Sequence, residues 1–157
     1  MKFNNKYKKF CEKIMLSEEN GATIEDLKKA DLNKIIKSID LSTESARHGL
    51  DLVMMDVNKF DQLWKKVDTY IGKGGSGDGV RTKYQNVIDF FLLDPETRKD
   101  KTGATNINAT DVVVSDEGVY IAQGRHRLAV LRDAGVKKLP VAMDDQSMAK
   151  AKEIGLI

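Results

Sequence analysis

Residues 112–143 read VVVSDEGVYIAQGRHRLAVLRDAGVKKLPVAM, and the architecture follows from how this run is parsed. Val112, Val113 and Val114 form a β-branched run. Ser115, Asp116, Glu117 and Gly118 are turn chemistry, and Val119, Tyr120, Ile121 and Ala122 form a second run, so a hairpin is predicted. Leu128, Val130, Leu131 and Ala134 then recur at helical spacing, and Gly135 supplies the stop, giving a helix over 128–134. Residues 136–143 return as a strand. Between strand and helix stand Gly124, Arg125, His126 and Arg127. Amides at a helix start are unpaired and carry partial positive charge. Two arginines and a histidine there oppose the helix dipole, and a bound anion would relieve that conflict. Phosphate is the natural candidate.

Working outward, residues 50–57 read as the first strand and 58–67 as a helix with Phe60, Leu63, Trp64 and Val67 on one face. Asp56 and Asp61 flank that turn, where acids favour a helix dipole without any chemistry. Residues 72–79 hold five glycines in eight positions. Ordering them costs backbone entropy, so the run is expected to be a mobile linker or a ligand lid. As a lid it would bring Lys73 and Ser76 to a phosphate. It is not a Walker loop, because Gly74 follows Lys73 where Ser or Thr is required. Residues 81–93 resume as a helix, with Tyr84, Val87, Ile88, Phe91 and Leu92 inward. Residues 95–103 form a charged loop whose Lys99 and Lys101 are expected to be solvated. A terminal helix is expected over 146–154.

Residues 1–49 form a helical N-terminal extension, distinct from a main domain over 50–157. Tyr7, Phe10, Cys11, Ile14 and Met15 suggest one amphipathic helix. Thr23 with Asp26 is a capping-box variant ahead of Leu27, Ala30, Leu32, Ile35, Ile36 and Ile39, and Ser42 or Thr43 caps a further short helix ending at Gly49. This region reads as a helical cap or a protein-docking segment, and nothing in it looks catalytic.

Of the 157 residues 32% are charged, yet the net charge is only +2, so composition does not demand a nucleic-acid surface. No apolar run approaches a membrane span, and no signal peptide is visible. The single cysteine, Cys11, excludes an internal disulfide and suits a reducing cytoplasm. With two distant histidines, His48 and His126, there is no zinc spacing. The Lys- and Asn-containing composition would suit a bacterial or phage accessory protein.

The segment Gly124, any residue, His126, Arg127, followed by Leu128, Ala129, a helix to Gly135, and then Pro140 and Val141, resembles the ParB/sulfiredoxin superfamily over residues 50–143. The resemblance implies a small mixed α/β (α+β) sheet with packed helices, in which the loop and helix start hold nucleotide phosphates. Arg125 stands where sulfiredoxins place their reactive cysteine, which removes peroxiredoxin repair. The chromosome-partitioning pattern is also broken, by Arg125, His126 and Ala129. The expectation is therefore a nucleotide- or phosphate-binding protein, an NTPase or NTP-dependent phosphoryl transferase, taking a nucleoside triphosphate with or without Mg²⁺. Gly124 would admit the phosphate, Arg125 and Arg127 would contact it, and His126 would donate to it or move a proton. Asp56, Asp61, Asp116 and Glu117 are the acids available as base or metal ligand. Two other readings stand beside this one. One is a nucleic-acid-binding or nuclease-like module using Arg125, Lys137 and Lys138. The other is an inactive protein-interaction factor that keeps an ancestral pocket.

Overall fold

The computed structural model describes residues 21–78, 81–93 and 106–157. The expected helix at Tyr7 to Met15 and the loop carrying Lys99 and Lys101 lie outside them. The described chain is a mixed α/β structure with a four-stranded sheet, a small parallel strand pair and seven α-helices.

The hairpin forms as the valine runs predict. Its strands are β4 (Thr110–Ser115) and β5 (Gly118–Gln123), paired antiparallel with an irregularity between Asp111 and Val112. Alternation sets its faces: Val112, Val114, Val119 and Ile121 are buried, while Tyr120 is exposed. Strand β6 (Lys138–Met143) pairs parallel with β4 at Thr110 and Asp111, and antiparallel with β2 (Asp51–Asp56), giving the order β2-β6-β4-β5. Because β6 leaves β4 after Asp111, the amide of Val114 needs another acceptor. The buried Ser147 hydroxyl accepts it at 3.1 Å. Ser147 is delivered by α7 (Asp145–Glu153), which starts at the Asp144 cap.

Helix α4 (Val57–Trp64) follows β2 and is capped by Asp56, whose carboxylate accepts the Lys59 amide at 2.9 Å. Phe60 and Trp64 are fully buried, as the aromatic stripe predicts. Helix α5 (Arg81–Leu92) buries Tyr84, Ile88 and Phe91. Leu92, expected inward, is 37% exposed, because it falls in the last turn beyond the packed stripe. Helix α6 (Arg125–Asp133) lies between β4 on one side and α5 with the glycine run on the other. It therefore buries four consecutive residues, Leu128 to Leu131. Full burial of a leucine stabilises by about 1.5–3 kcal/mol, so Leu128 and Leu131 anchor the helix on the sheet.

The apolar series between Leu27 and Ile39 divides into two short helices and a strand. Helix α1 (Ile24–Lys29) has the full Thr23/Asp26 capping box, and α2 (Leu32–Lys37) is capped by Asp31. Ile39 then enters β1 (Ile39–Asp40), which pairs parallel with β3 (Ile107–Asn108). Asp31 takes up the Lys34 amide, and this local bond starts a new helix where periodicity alone runs on. Ser42 caps α3 (Thr43–Arg47). No helix among the described residues is long and apolar enough to cross a membrane.

Over its described part, 72–78, the glycine run makes specific hydrogen bonds and packing contacts that its composition did not suggest. Residues Lys73–Gly75 make a 3-10 turn, and Gly75 is buried. The Gly74 amide donates to Asp133 at 2.9 Å, and Tyr84 donates to the same carboxylate oxygen at 2.5 Å. Arg132 reaches Asp133 at 2.9 Å, Asp61 at 3.0 Å and the Ile71 carbonyl at 2.6 Å. Its guanidinium also stacks near Trp64 and Tyr70. Glycine is used here for conformation and close packing. Gly75 sits at φ +84°, and a Cβ on it would lie 3.1 Å from the Tyr84 ring.

Candidate phosphate site at the start of helix α6

Gly124 ends β5 and is the N-cap of α6, in the left-handed region at φ +86°. No side chain caps the helix there. The Gly124 carbonyl accepts from the Thr110 hydroxyl and from the Leu128 amide, both at 3.1 Å. This fixes the helix start against the first residue of β4. A Cβ on Gly124 would stand 2.6 Å from Nη2 of Arg127 and 3.0 Å from the Thr110 hydroxyl. The space that glycine leaves is thus occupied by the folded-back Arg127 guanidinium, a role for Gly124 that the sequence reading assigned to phosphate approach.

Arg127 is largely withdrawn from solvent. Burial pushes its pKa down, while the negative charge of Asp111 pulls it back up. Asp111 itself accepts from the Ser45 hydroxyl at 2.9 and 3.0 Å. The buried Nε of Arg127 has no hydrogen-bond partner. A cation taken from water without a hydrogen-bonded counter-charge is unfavourable, so the geometry favours an added anion at this point.

The neighbouring pair has an acidic partner within the chain. Arg125 donates to the Thr69 carbonyl at 3.1 Å and reaches Asp78 Oδ1 at 3.5 Å. His126 Nε2 lies 2.5 Å from Asp78 Oδ2. The Asp78 side chain is only 4% exposed and that of His126 12%.

The structure therefore gathers Gly124, Arg125, His126 and Arg127 at one helix start. It separates the other residues that sequence suggested. Asp56 is used as the cap of α4 and pairs across the sheet with Lys138, at the end of β6 away from Val141 and Ala142, the residues beside Thr110 and Asp111. Asp61 is engaged by Arg132 at 3.0 Å, with the Tyr70 hydroxyl at 3.4 Å. Asp116 and Glu117 sit exposed in the hairpin turn, beyond Ser115 and Gly118. Asp116 is 91% exposed and bonded to Lys150, which lowers its pKa. Lys73 and Ser76 are exposed, and the adjoining Gly74 is tied to Asp133, at the far end of α6 from Gly124. Among the described residues no group of three His, Cys, Asp or Glu is placed to hold a metal ion.

The acids that do meet the basic cluster, Asp78 and Asp111, were missed. Asp111 was within reach of sequence. Folding the hairpin about its turn carries the start of β4 to the end of β5, next to Gly124. Asp78 had a weaker signal, as the one acid inside the glycine run. Compared with known proteins, the chain matches no family model, no curated protein and no solved structure.

Proposed function

We propose that the protein binds a phosphorylated ligand, a nucleoside triphosphate in the leading case, at the start of α6. The observation that carries this reading is Arg127, whose buried Nε has no partner. Phosphate oxygens are suited to it, because the planar guanidinium presents several donors in a fixed fork. The unpaired amides of a first helical turn add to the attraction. The resemblance of Gly124, His126, Arg127, Pro140 and Val141 to the ParB/sulfiredoxin superfamily supports a nucleotide, and the chemistry would be phosphoryl transfer or phosphate hydrolysis. One observation favours a second reading. Asp78 already supplies Arg125 and His126 with a negative partner, as expected if the cluster only fastens the loop in a protein-interaction factor.

Calorimetric titration with the four ribonucleoside triphosphates, with and without Mg²⁺, tests the choice. Binding that Arg127→Ala weakens by about 1.5–3 kcal/mol, the scale of hydrogen bonds to a charged group, supports the phosphate site. Arg127→Lys should restore only part of it, since lysine offers a point charge. Absence of binding, or binding indifferent to Arg127, leaves the fastening role.

A further inference from the structure

From the contact between a nearly buried carboxylate and an imidazole, we propose that Asp78 is a positioning residue. It holds the neutral His126 ring with its proton on Nε2, leaving Nδ1 to accept a proton from water during phosphate hydrolysis. The proposal rests on the phosphate reading above. Asp78 Oδ2 lies 2.5 Å from His126 Nε2, and an ionised carboxylate can only accept. The neutral ring must then donate from Nε2. His126 Nδ1 has no hydrogen bond among the described residues, and the side chain keeps 12% of its surface exposed. A ring with one nitrogen held by a carboxylate and the other open is arranged as a general base.

In the step assigned to it, Nδ1 takes a proton from water as the water oxygen bonds to phosphorus. The bond from phosphorus to the leaving oxygen breaks, and its electron pair departs with that oxygen. The imidazolium then returns the proton to solvent.

Arg125 makes the proposal testable. Its Nη2 lies on the Oδ1 side of Asp78, while Oδ2 faces His126. In Asp78→Asn the amide oxygen should stay toward the Arg125 donor, which turns the amide NH₂ toward Nε2. The ring must then accept at Nε2 and carry its proton on Nδ1, where it cannot serve as base. Nitrogen-15 spectra of the His126 ring, recorded where the ring is neutral, report which nitrogen is protonated. The expected result is Nε2–H in the natural protein and Nδ1–H in Asp78→Asn. Arg125→Ala added to Asp78→Asn should return at least part of the population to Nε2–H.

Nδ1–H in the natural protein, or an unchanged ring in a folded Asp78→Asn, overturns the proposal. If the variant does not fold, the natural protein's own spectrum still decides. Pyrophosphate added to the same sample separates the two claims. Nε2–H together with movement of the α6 first-turn resonances supports both. Nε2–H without any response to pyrophosphate removes the phosphate reading and the chemistry assigned to His126. Nδ1–H with a clear response overturns the positioning role alone.

Discussion

Arg127 and Gly124 are best understood as a pair. The glycine is required because the guanidinium lies where its Cβ would be, and the guanidinium is held without a hydrogen bond at Nε. Removing such a cation should not cost stability in the way an exposed-to-buried comparison suggests. Replacing an imperfectly satisfied buried charge with an apolar chain of similar length is often neutral or stabilising. We therefore expect Arg127→Met to hold the melting temperature or raise it by a few degrees, while triphosphate affinity falls at least tenfold. Thermal melting and calorimetry on the same protein check this. A large loss of melting temperature with affinity kept would place Arg127 in the framework. Gly124→Ala should be worse than an ordinary left-handed substitution, because it also displaces the guanidinium.

At the scale of elements, the glycine run is the feature whose meaning changed most. Its composition predicted mobility, and locally that inference was sound. The packing arises from Tyr84 on α5 and from Asp133 and Arg132 at the end of α6, with Asp133 59 residues from Gly74, and no local pattern links them to the run. Gly75→Ala should destabilise by about 1–2 kcal/mol, the scale of left-handed strain in a residue with a Cβ. Its contact with Tyr84 should make it more harmful than Gly74→Ala, where φ is +72° but nothing lies within 4 Å. Denaturant unfolding of the two variants isolates that contact, and equal losses would argue against it. Amide exchange at Gly74 should be slow for a surface loop, since its N–H is bonded to a carboxylate.

The same network carries a pH dependence. Burial first, then the Asp133 hydrogen bond, raises the pKa of Tyr84 above its ordinary value. Such a group gives its full stabilisation below the unfolded pKa, about 10, and loses it as pH climbs toward the folded value. Stability should fall above that point. Tyr84→Phe should lower stability at neutral pH by about 1.5 kcal/mol, roughly 3–6 °C in melting temperature, and should flatten the alkaline fall. A variant that unfolds in alkali as the natural protein does would remove Tyr84 as a source.

At the scale of the whole molecule, much of the architecture was legible from residue 50 onward. Alternating β-branched runs, the stop at Gly135 and the aromatic stripe of α4 each express a local period. The strand order was not legible, since β6 inserts between β2 and β4 through contacts that no single segment encodes. The site was half legible: the basic cluster is contiguous in sequence, but its acidic partners come from elsewhere. With a net charge of +2, and with Arg125 already engaged by Asp78, nucleic-acid binding should be weak and fall steeply between low and physiological salt. Filter binding across a salt series checks this, and tight sequence-selective binding at physiological salt would favour the nucleic-acid reading.

The most direct measurement follows the Arg127 side chain itself. In ¹⁵N-labelled protein, the Nε–H resonance of Arg127 can be recorded during a pyrophosphate titration. The account predicts a saturable downfield shift of that resonance, accompanied by the amides of residues 125–128, with the same amides responding only at higher pyrophosphate concentration in Arg127→Lys. An Nε–H resonance that stays fixed while pyrophosphate moves signals elsewhere, or moves none, would contradict a phosphate site at the start of α6.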